Sequence, residues 1–242
     1  MENTGLMNRE EMQLTDEQLD KLLEQEVQTS LDNIDPRPPR IKMLKESLQF
    51  ISPDGSTQKD LTGILVFHHK ARGRWETEGQ KIPTCSSLDG TVGIDEDGEE
   101  HVCKSCPFNV FGTGKDGHGK ACKEMRWIYL LQEGEAIPSR ISLPPTSLTK
   151  FDAFVSALAQ KKIAPIQKVI KLGLETGESR GFKYPVLAQP EVIGDVPRSN
   201  ILGLIRMREG VVAAARKAGI DAEDYYADGD AVGGSNSEDQ PY

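Results

Sequence analysis

Apolar residues recur at helical spacing near the N-terminus, where Leu19, Leu22, Leu23 and Val27 follow Thr15-Asp-Glu-Gln18. A threonine with a glutamine three residues on has capping-box spacing, so the pattern predicts a short amphipathic helix. Asp35-Pro-Arg-Pro-Pro-Arg40 cannot continue it, because prolines remove amide donors and bias their predecessors toward extended geometry. It reads as a linker. Beyond it the pattern turns β-like. Thr62–His68, Arg126–Leu131, Ser139–Leu143, Gln167–Leu172 and Phe182–Leu187 are the strand candidates, and the last three alternate partly between apolar and polar residues. Pro144-Pro145 ends one strand, and Thr146 or Ser147 can cap a helix with Leu148, Phe151, Phe154, Val155 and Leu158 on one face. A second helix, about 198–218, carries Ile201, Leu202, Ile205, Val212 and Ala215, with Gly219 suited to its C-cap. After Tyr226 the composition collapses to Asp, Gly, Ser and Glu, which predicts a disordered tail. Five strands with one helix interposed predict a mainly β (α+β) fold, an OB-like barrel with flanking helices. An SH3-like barrel or a plain sheet leaves similar traces.

Composition sharpens the boundaries. Only 37% of the 242 residues are hydrophobic, so sizeable flanks outside the core are expected. The net charge is −9, but residues 1–35 hold ten acids against Arg9 and Lys21, and residues 221–242 hold seven acids and no base. That leaves +6 on residues 36–220. The expected organisation is an acidic arm with a short helix (1–35), a basic core (36–220) and a disordered acidic tail (221–242). No apolar run approaches the roughly 20 residues that span a bilayer, and MENTGLMNREEMQ has no apolar stretch of a secretory signal. A soluble intracellular protein without membrane partners is expected.

The four cysteines Cys85, Cys103, Cys106 and Cys122 are spaced C-x17-C-x2-C-x15-C. A C-x2-C pair lets two thiolates meet one ion, and the outer two can complete a tetrahedral shell. Zinc suits four soft thiolates. Disulfides are disfavoured inside cells, and an iron–sulfur cluster uses the same ligand number. His101 or His118 can replace one cysteine. A shell without an open position makes the metal structural, so the segment 85–122 is expected to be a zinc knuckle inserted in the barrel.

Inside it, Gly114-Lys-Asp-Gly-His-Gly119-Lys120 fits the frame of a phosphate loop. That frame needs Ser or Thr next, for magnesium, and a helix after it. Ala121 and Cys122 stand there instead. The glycines then read as a mobile cationic flap. No paired carboxylates or nucleophilic triad can be placed either, and Asp95-Glu-Asp97-Gly-Glu-Glu100 reads as an acidic hairpin tip, so no catalytic activity is expected.

His68-His-Lys-Ala-Arg-Gly-Arg-Trp75 places Lys70, Arg72 and Arg74 beside Trp75, in what reads as a turn. Lys115, Lys120, Lys123, Arg126, Trp127 and Tyr129 repeat the mix beyond the cysteine loop. Cations track phosphates and aromatic faces stack on unpaired bases, which suits single strands better than duplex. Alternatively, Trp127 and Tyr129 point into the barrel core. The tail ends Ser235-Asn-Ser-Glu-Asp-Gln-Pro-Tyr242, where Asp239, Pro241 and Tyr242 are candidate partner contacts. This tail resembles the acidic, disordered tails, in many cases ending in an aromatic residue, that often accompany the OB-fold in bacterial and phage single-stranded-DNA-binding proteins.

Cys85-Ser-Ser-x-Asp-Gly90, Cys103-x-x-Cys-Pro-Phe-Asn109, Gly119-Lys-x-Cys122 and Ser142-Leu-Pro-Pro-Thr-Ser-Leu148 together resemble the marks of a family of phage or mobile-element proteins. The resemblance covers about 60–190. It implies single-stranded-DNA binding through an OB-like fold with a zinc subdomain, in replication or recombination within a bacterial host cytoplasm. Replication or recombination proteins are the implied tail partners, and self-association is compatible with it. An alternative is a zinc-stabilised interaction protein that recruits or modulates a polymerase through the N-terminal helix.

Overall fold

The computed structural model describes residues 15–32, 38–44, 46–77, 79–179 and 181–224. The chain divides into two units, residues 1–37 and 38–242. The first contains helix α1 (Asp16–Asp32). Its capping box is reciprocal: Thr15 N donates to Gln18 Oε1 at 3.0 Å, and Gln18 N donates to Thr15 Oγ1 at 3.3 Å. Leu19, Leu22, Leu23 and Val27 are all exposed on it.

The second unit is mainly β-sheet with a few helices. Strands β1 (Arg40–Leu44), β2 (Gln49–Ile51) and β3 (Thr57–Gln58) lead into the 15-residue β4 (Asp60–Arg74). Three short strands follow, β5 (Cys85–Ser87), β6 (Val92–Asp95) and β7 (Glu100–Val102). Then come β8 (Cys122–Leu131), β9 (Ser139–Leu143) and helix α2 (Pro145–Gln160). The chain ends with β10 (Lys168–Ser179), β11 (Phe182–Leu187), β12 (Glu191–Asp195) and helix α3 (Arg198–Lys217). The ladder runs β3-β2-β1-β9-β8-β4-β5-β6-β7, and β10, which carries β11 and β12, branches from β4. Among the described residues this sheet does not close on itself, so barrel closure is absent. No helix is long and apolar enough to cross a membrane.

The central β4–β8 pair sets the core by its period of two. On one face Leu65, Ile128 and Leu130 join Ile141, Leu143 and Leu172 beneath Phe151, Phe154 and Leu158 of α2. On the other, Ala71, Met125, Trp127 and Tyr129 pack with Leu204, Val211 and Ala215 of α3. Each large aliphatic or phenylalanine side chain among them contributes about 2 kcal/mol by leaving water.

Two local expectations change. Pro144, not Thr146 or Ser147, occupies the N-cap of α2; Ser147 is buried, and its Oγ accepts the Leu187 amide at 2.9 Å. Nor does the acidic tail start at 221. Asp221 takes both Arg40 guanidinium nitrogens, at 2.9 and 3.0 Å, and the buried Asp224 takes Arg140 at 2.6 Å. The Arg140 guanidinium also lies 3.8 Å over the Trp127 ring. These acids offset cations of the core and fix the segment Ala222–Asp224 against it.

Candidate metal centre and cationic face

The stretch read as a turn is strand. β4 runs on to Arg74, and because alternate residues share a face, Lys70, Arg72 and Arg74 project together, opposite to Ala71 and Gly73. Their register partners on β8 are Arg126, Glu124 and Cys122. One face of the pair thus passes from apolar core, through cations, to a cysteine. Trp127 pairs with His69 and Tyr129 with Phe67 on the reverse face, where both are fully buried. Burial pushes the Tyr129 hydroxyl up to about 12. Their expected role as base-stacking aromatics is therefore corrected: they are core under α3. Lys123 has the parity of Trp127, and burial lowers its ammonium. Trp75 is half-buried and packs over Gly73, where an added Cβ would lie 2.4 Å from the indole.

The cations differ in their engagement. Arg72 is 8% exposed and held by Asn109 Oδ1 at 2.8 Å and Glu124 at 2.6 Å. Arg126 is 6% exposed and bonded to Asp152 at 2.8 and 2.9 Å. Both are engaged in ion pairs within the fold. Arg74 is paired with Glu76. Lys70 and Lys115 are exposed, and Lys120 is half-buried.

Arg74 also locates the cysteines. Cys85 faces it from β5 and Cys122 from β8, so the two thiols flank one residue across three strands. Cys103 and Cys106 come from the turn after β7, where Cys103 N donates to Thr91 O at 2.9 Å and Asn109 N to Cys106 O at 3.0 Å. All four thiols line one cavity of about 20 Å³, with His101 and Arg72. Cys103 is buried and the others are half-buried. An added Cβ on Gly93 would sit 2.9 Å from the Cys85 sulfur, so glycine leaves room for it. Burial pushes the Cys122 thiol up to about 11 and raises that of Cys85, and neighbouring thiols add to both shifts. Thiolates crowded there would repel each other, which a bound cation relieves. Among the described residues the ligand atoms that gather within 4.8 Å are those of Asp95, Glu99 and His101, not three thiols. The sulfurs surround the cavity without forming a closed shell. His101 is engaged with Asp95 Oδ2 at 2.6 Å. His118 is exposed and is not part of the cavity wall.

Sequence reasoning met Asn109 only as the end of a motif and gave it no role. Its Nδ2 donates to Cys103 O at 2.9 Å, while its Oδ1 accepts from Arg72 and, at 3.1 Å, from Lys120. It fastens the cysteine turn to the cationic strand. Phe108 and Phe111 were missed too; they are 40% and 79% exposed. Their signal was an apolar Phe-Asn-Val-Phe run inside a polar, glycine-rich loop.

The glycine loop spends its amides on itself. Gly112 N and Gly114 N both donate to Gly119 O, at 2.7 and 3.4 Å, and Gly117 N donates to Gly114 O at 3.1 Å. Strand β8, not a helix, follows. A phosphate cradle needs those amides free and a helix behind them. Gly112, Gly117 and Gly119 have φ of +89°, +74° and +61°, and an added Cβ on Gly114 would lie 1.9 Å from His118 O. Glycine serves tight backbone approach here.

Asp239, Pro241 and Tyr242 lie outside the described residues. No family model, curated protein or solved structure matches this chain.

Proposed function

We propose that this chain binds single-stranded DNA through an OB-like core, with a zinc ion held by Cys85, Cys103, Cys106 and Cys122, in replication or recombination of a phage or mobile element. The strand order supports the OB-like reading. β4, β8 and β9 form an antiparallel meander, α2 follows, and β10 returns to pair with β4 and carries β11. OB-folds are five-stranded, partly open barrels. Here β1 takes the free edge of β9 in parallel, the edge at which a closing fifth strand would dock.

The observation that carries the reading is the place of the insertion. Residues 75–121 connect the first two strands of that meander, and the corresponding loop in OB-folds binds oligonucleotides. The two strands that lead into it bring Lys70, Arg72, Arg74 and Arg126 to one face. The zinc ion would be structural, replacing four thiol protons with one cation. The tail contacts of Asp239, Pro241 and Tyr242 with replication or recombination proteins, self-association and a bacterial cytoplasmic setting belong to the same proposal, as does the absence of catalysis.

Titration of single- and double-stranded oligonucleotides across a salt series tests it. Preference for the single strand, with affinity falling as salt rises, is the expected result; equal binding to both would sink the reading. A second reading has its own observation, the exposed apolar stripe of α1. On that reading the chain recruits or modulates a polymerase through the helix. Deleting residues 1–35 would then abolish partner capture and leave DNA affinity unchanged.

A further inference from the structure

We propose that Phe108 and Phe111 are stacking platforms for two unpaired bases of the strand, and that the cysteine loop exists to hold them out. The inference rests on the single-strand reading above.

Phe111 is 79% exposed and Phe108 40%. At 79% exposure the Phe111 ring adds little to the fold, because stabilisation scales with apolar area removed from water; Phe108 is partly buried but still leaves two fifths of its surface in water. Each ring is instead backed by a cation. The Arg74 guanidinium carbon lies 4.1 Å from the Phe108 centroid, and Lys120 Nζ lies 5.2 Å from that of Phe111. A cation over one face of a ring leaves the opposite face for a second planar group.

The rings also stand on a tied backbone. Thr113 Oγ1 donates to Val110 O at 2.6 Å or to Phe108 O at 3.2 Å, and accepts the Ala121 amide at 3.1 Å. Asn109, between the rings, is held by Cys103, Arg72 and Lys120. The platform is built before the ligand arrives, which lowers the ordering cost of binding.

Charge decides the occupant. An apolar protein surface covering these rings would also cover Arg74 and Lys120 and strip their water, at a cost in free energy. A single strand supplies a π-face for each ring and a phosphate for each cation. Glu76, paired with Arg74, tempers the charge there, so Lys120 is the stronger phosphate contact. Duplex bases have both faces stacked already, so the platforms select the unpaired form.

The test measures oligothymidine affinity at two salt concentrations for the full chain and for Phe111→Ala, Phe108→Ala, Phe111→Trp and Lys120→Ala. Loss of a platform is expected to weaken binding roughly 5- to 150-fold per ring, with the salt slope unchanged because no phosphate contact is lost. Phe111→Trp keeps or raises affinity. Lys120→Ala lowers the slope by about one charge. Phe111 is exposed, so an unchanged melting temperature is expected for its alanine variant. If the native chain prefers single strands and both alanine variants bind equally well, the platforms are refuted while the single-strand reading stands, and the rings fall to a protein partner. If the native chain shows no preference, both fail.

Discussion

The two faces of the β4–β8 pair share one backbone and one register, yet they hold different kinds of residue for different reasons. Ala71, Met125, Trp127 and Tyr129 meet α3 and have no access to water. One residue along each strand, Lys70, Arg72, Arg74, Glu124 and Arg126 look the other way; Arg126 still bonds to Asp152 of α2, while Arg72 bonds to Asn109 and Arg74 stacks on Phe108 of the cysteine-lined insertion. The comparison teaches that aromatic residues next to cations in sequence need not be next to them in space. In a strand, neighbours are on opposite sides, and i and i+2 are companions. Composition suggested one mixed surface; the structure has a core face and a charged face.

The largest effect that would break this comparison is at the core face. Trp127→Ala is expected to cost about 4 kcal/mol of stability, read by denaturant unfolding. Stability within about 0.5 kcal/mol of the native chain, with lost DNA affinity, would return Trp127 to the binding surface. Next comes the seam that ties Asp221 and Asp224 to Arg40 and Arg140. Asp224→Ala leaves the Arg140 guanidinium buried and uncompensated, at about 3 kcal/mol; an unchanged melting temperature would show that Asp221 and Asp224 belong to a free tail.

A smaller effect sharpens the charged face. His68 shares the face of Lys70 and meets Phe151 edge-on, with ring centroids 5.3 Å apart. Burial, and then Arg126, lower its pKa to about 4. The unfolded chain takes up a proton near the ordinary value of 6.5 and the folded chain does not. Stability is therefore full above about pH 6.5 and falls as pH drops toward 4, by at most about 3 kcal/mol. His68→Gln should flatten that part of the pH–stability curve; an unchanged curve would place the imidazole in water. The smallest effect falls at the surface. Lys70→Ala is expected to change stability by less than about 0.5 kcal/mol and to lower the salt slope of DNA binding by about one charge. An unaltered slope would remove Lys70 from the site.

Much of the fold was legible because its signals are local. The Thr15–Gln18 box and the leucine spacing give α1; alternation gives β9 and β11; Pro144-Pro145 marks the end of β9, and the apolar spacing from Leu148 to Leu158 gives α2. Strands β1–β3, β5–β7 and β12 were not legible. β2, β3 and β5–β7 are two to four residues long, too short for periodicity to register. β1 and β12, as long as β9, owe their form to pairing with partners elsewhere in the chain. The same holds for the site. Cysteine spacing brought four thiols to one cavity by reasoning about ligand number alone. That Cys85 and Cys122 flank Arg74 needed the register, and the roles of Asn109, Phe108 and Phe111 needed the loop's internal hydrogen bonds. The 221 boundary failed because acidity alone reads as tail, whereas Asp224 is acidic in order to meet Arg140.

If zinc is held as proposed, the charged face depends on the cysteine loop and the loop on the metal. The most direct measurement is zinc content together with single-strand affinity, before and after chelation, with far-ultraviolet circular dichroism following the sheet. About one zinc per chain is expected for a four-thiolate shell, with a loss of affinity on chelation that zinc restores while the β signal persists. A chain that holds no metal, or one that keeps its full affinity after the metal is removed, would contradict the proposal.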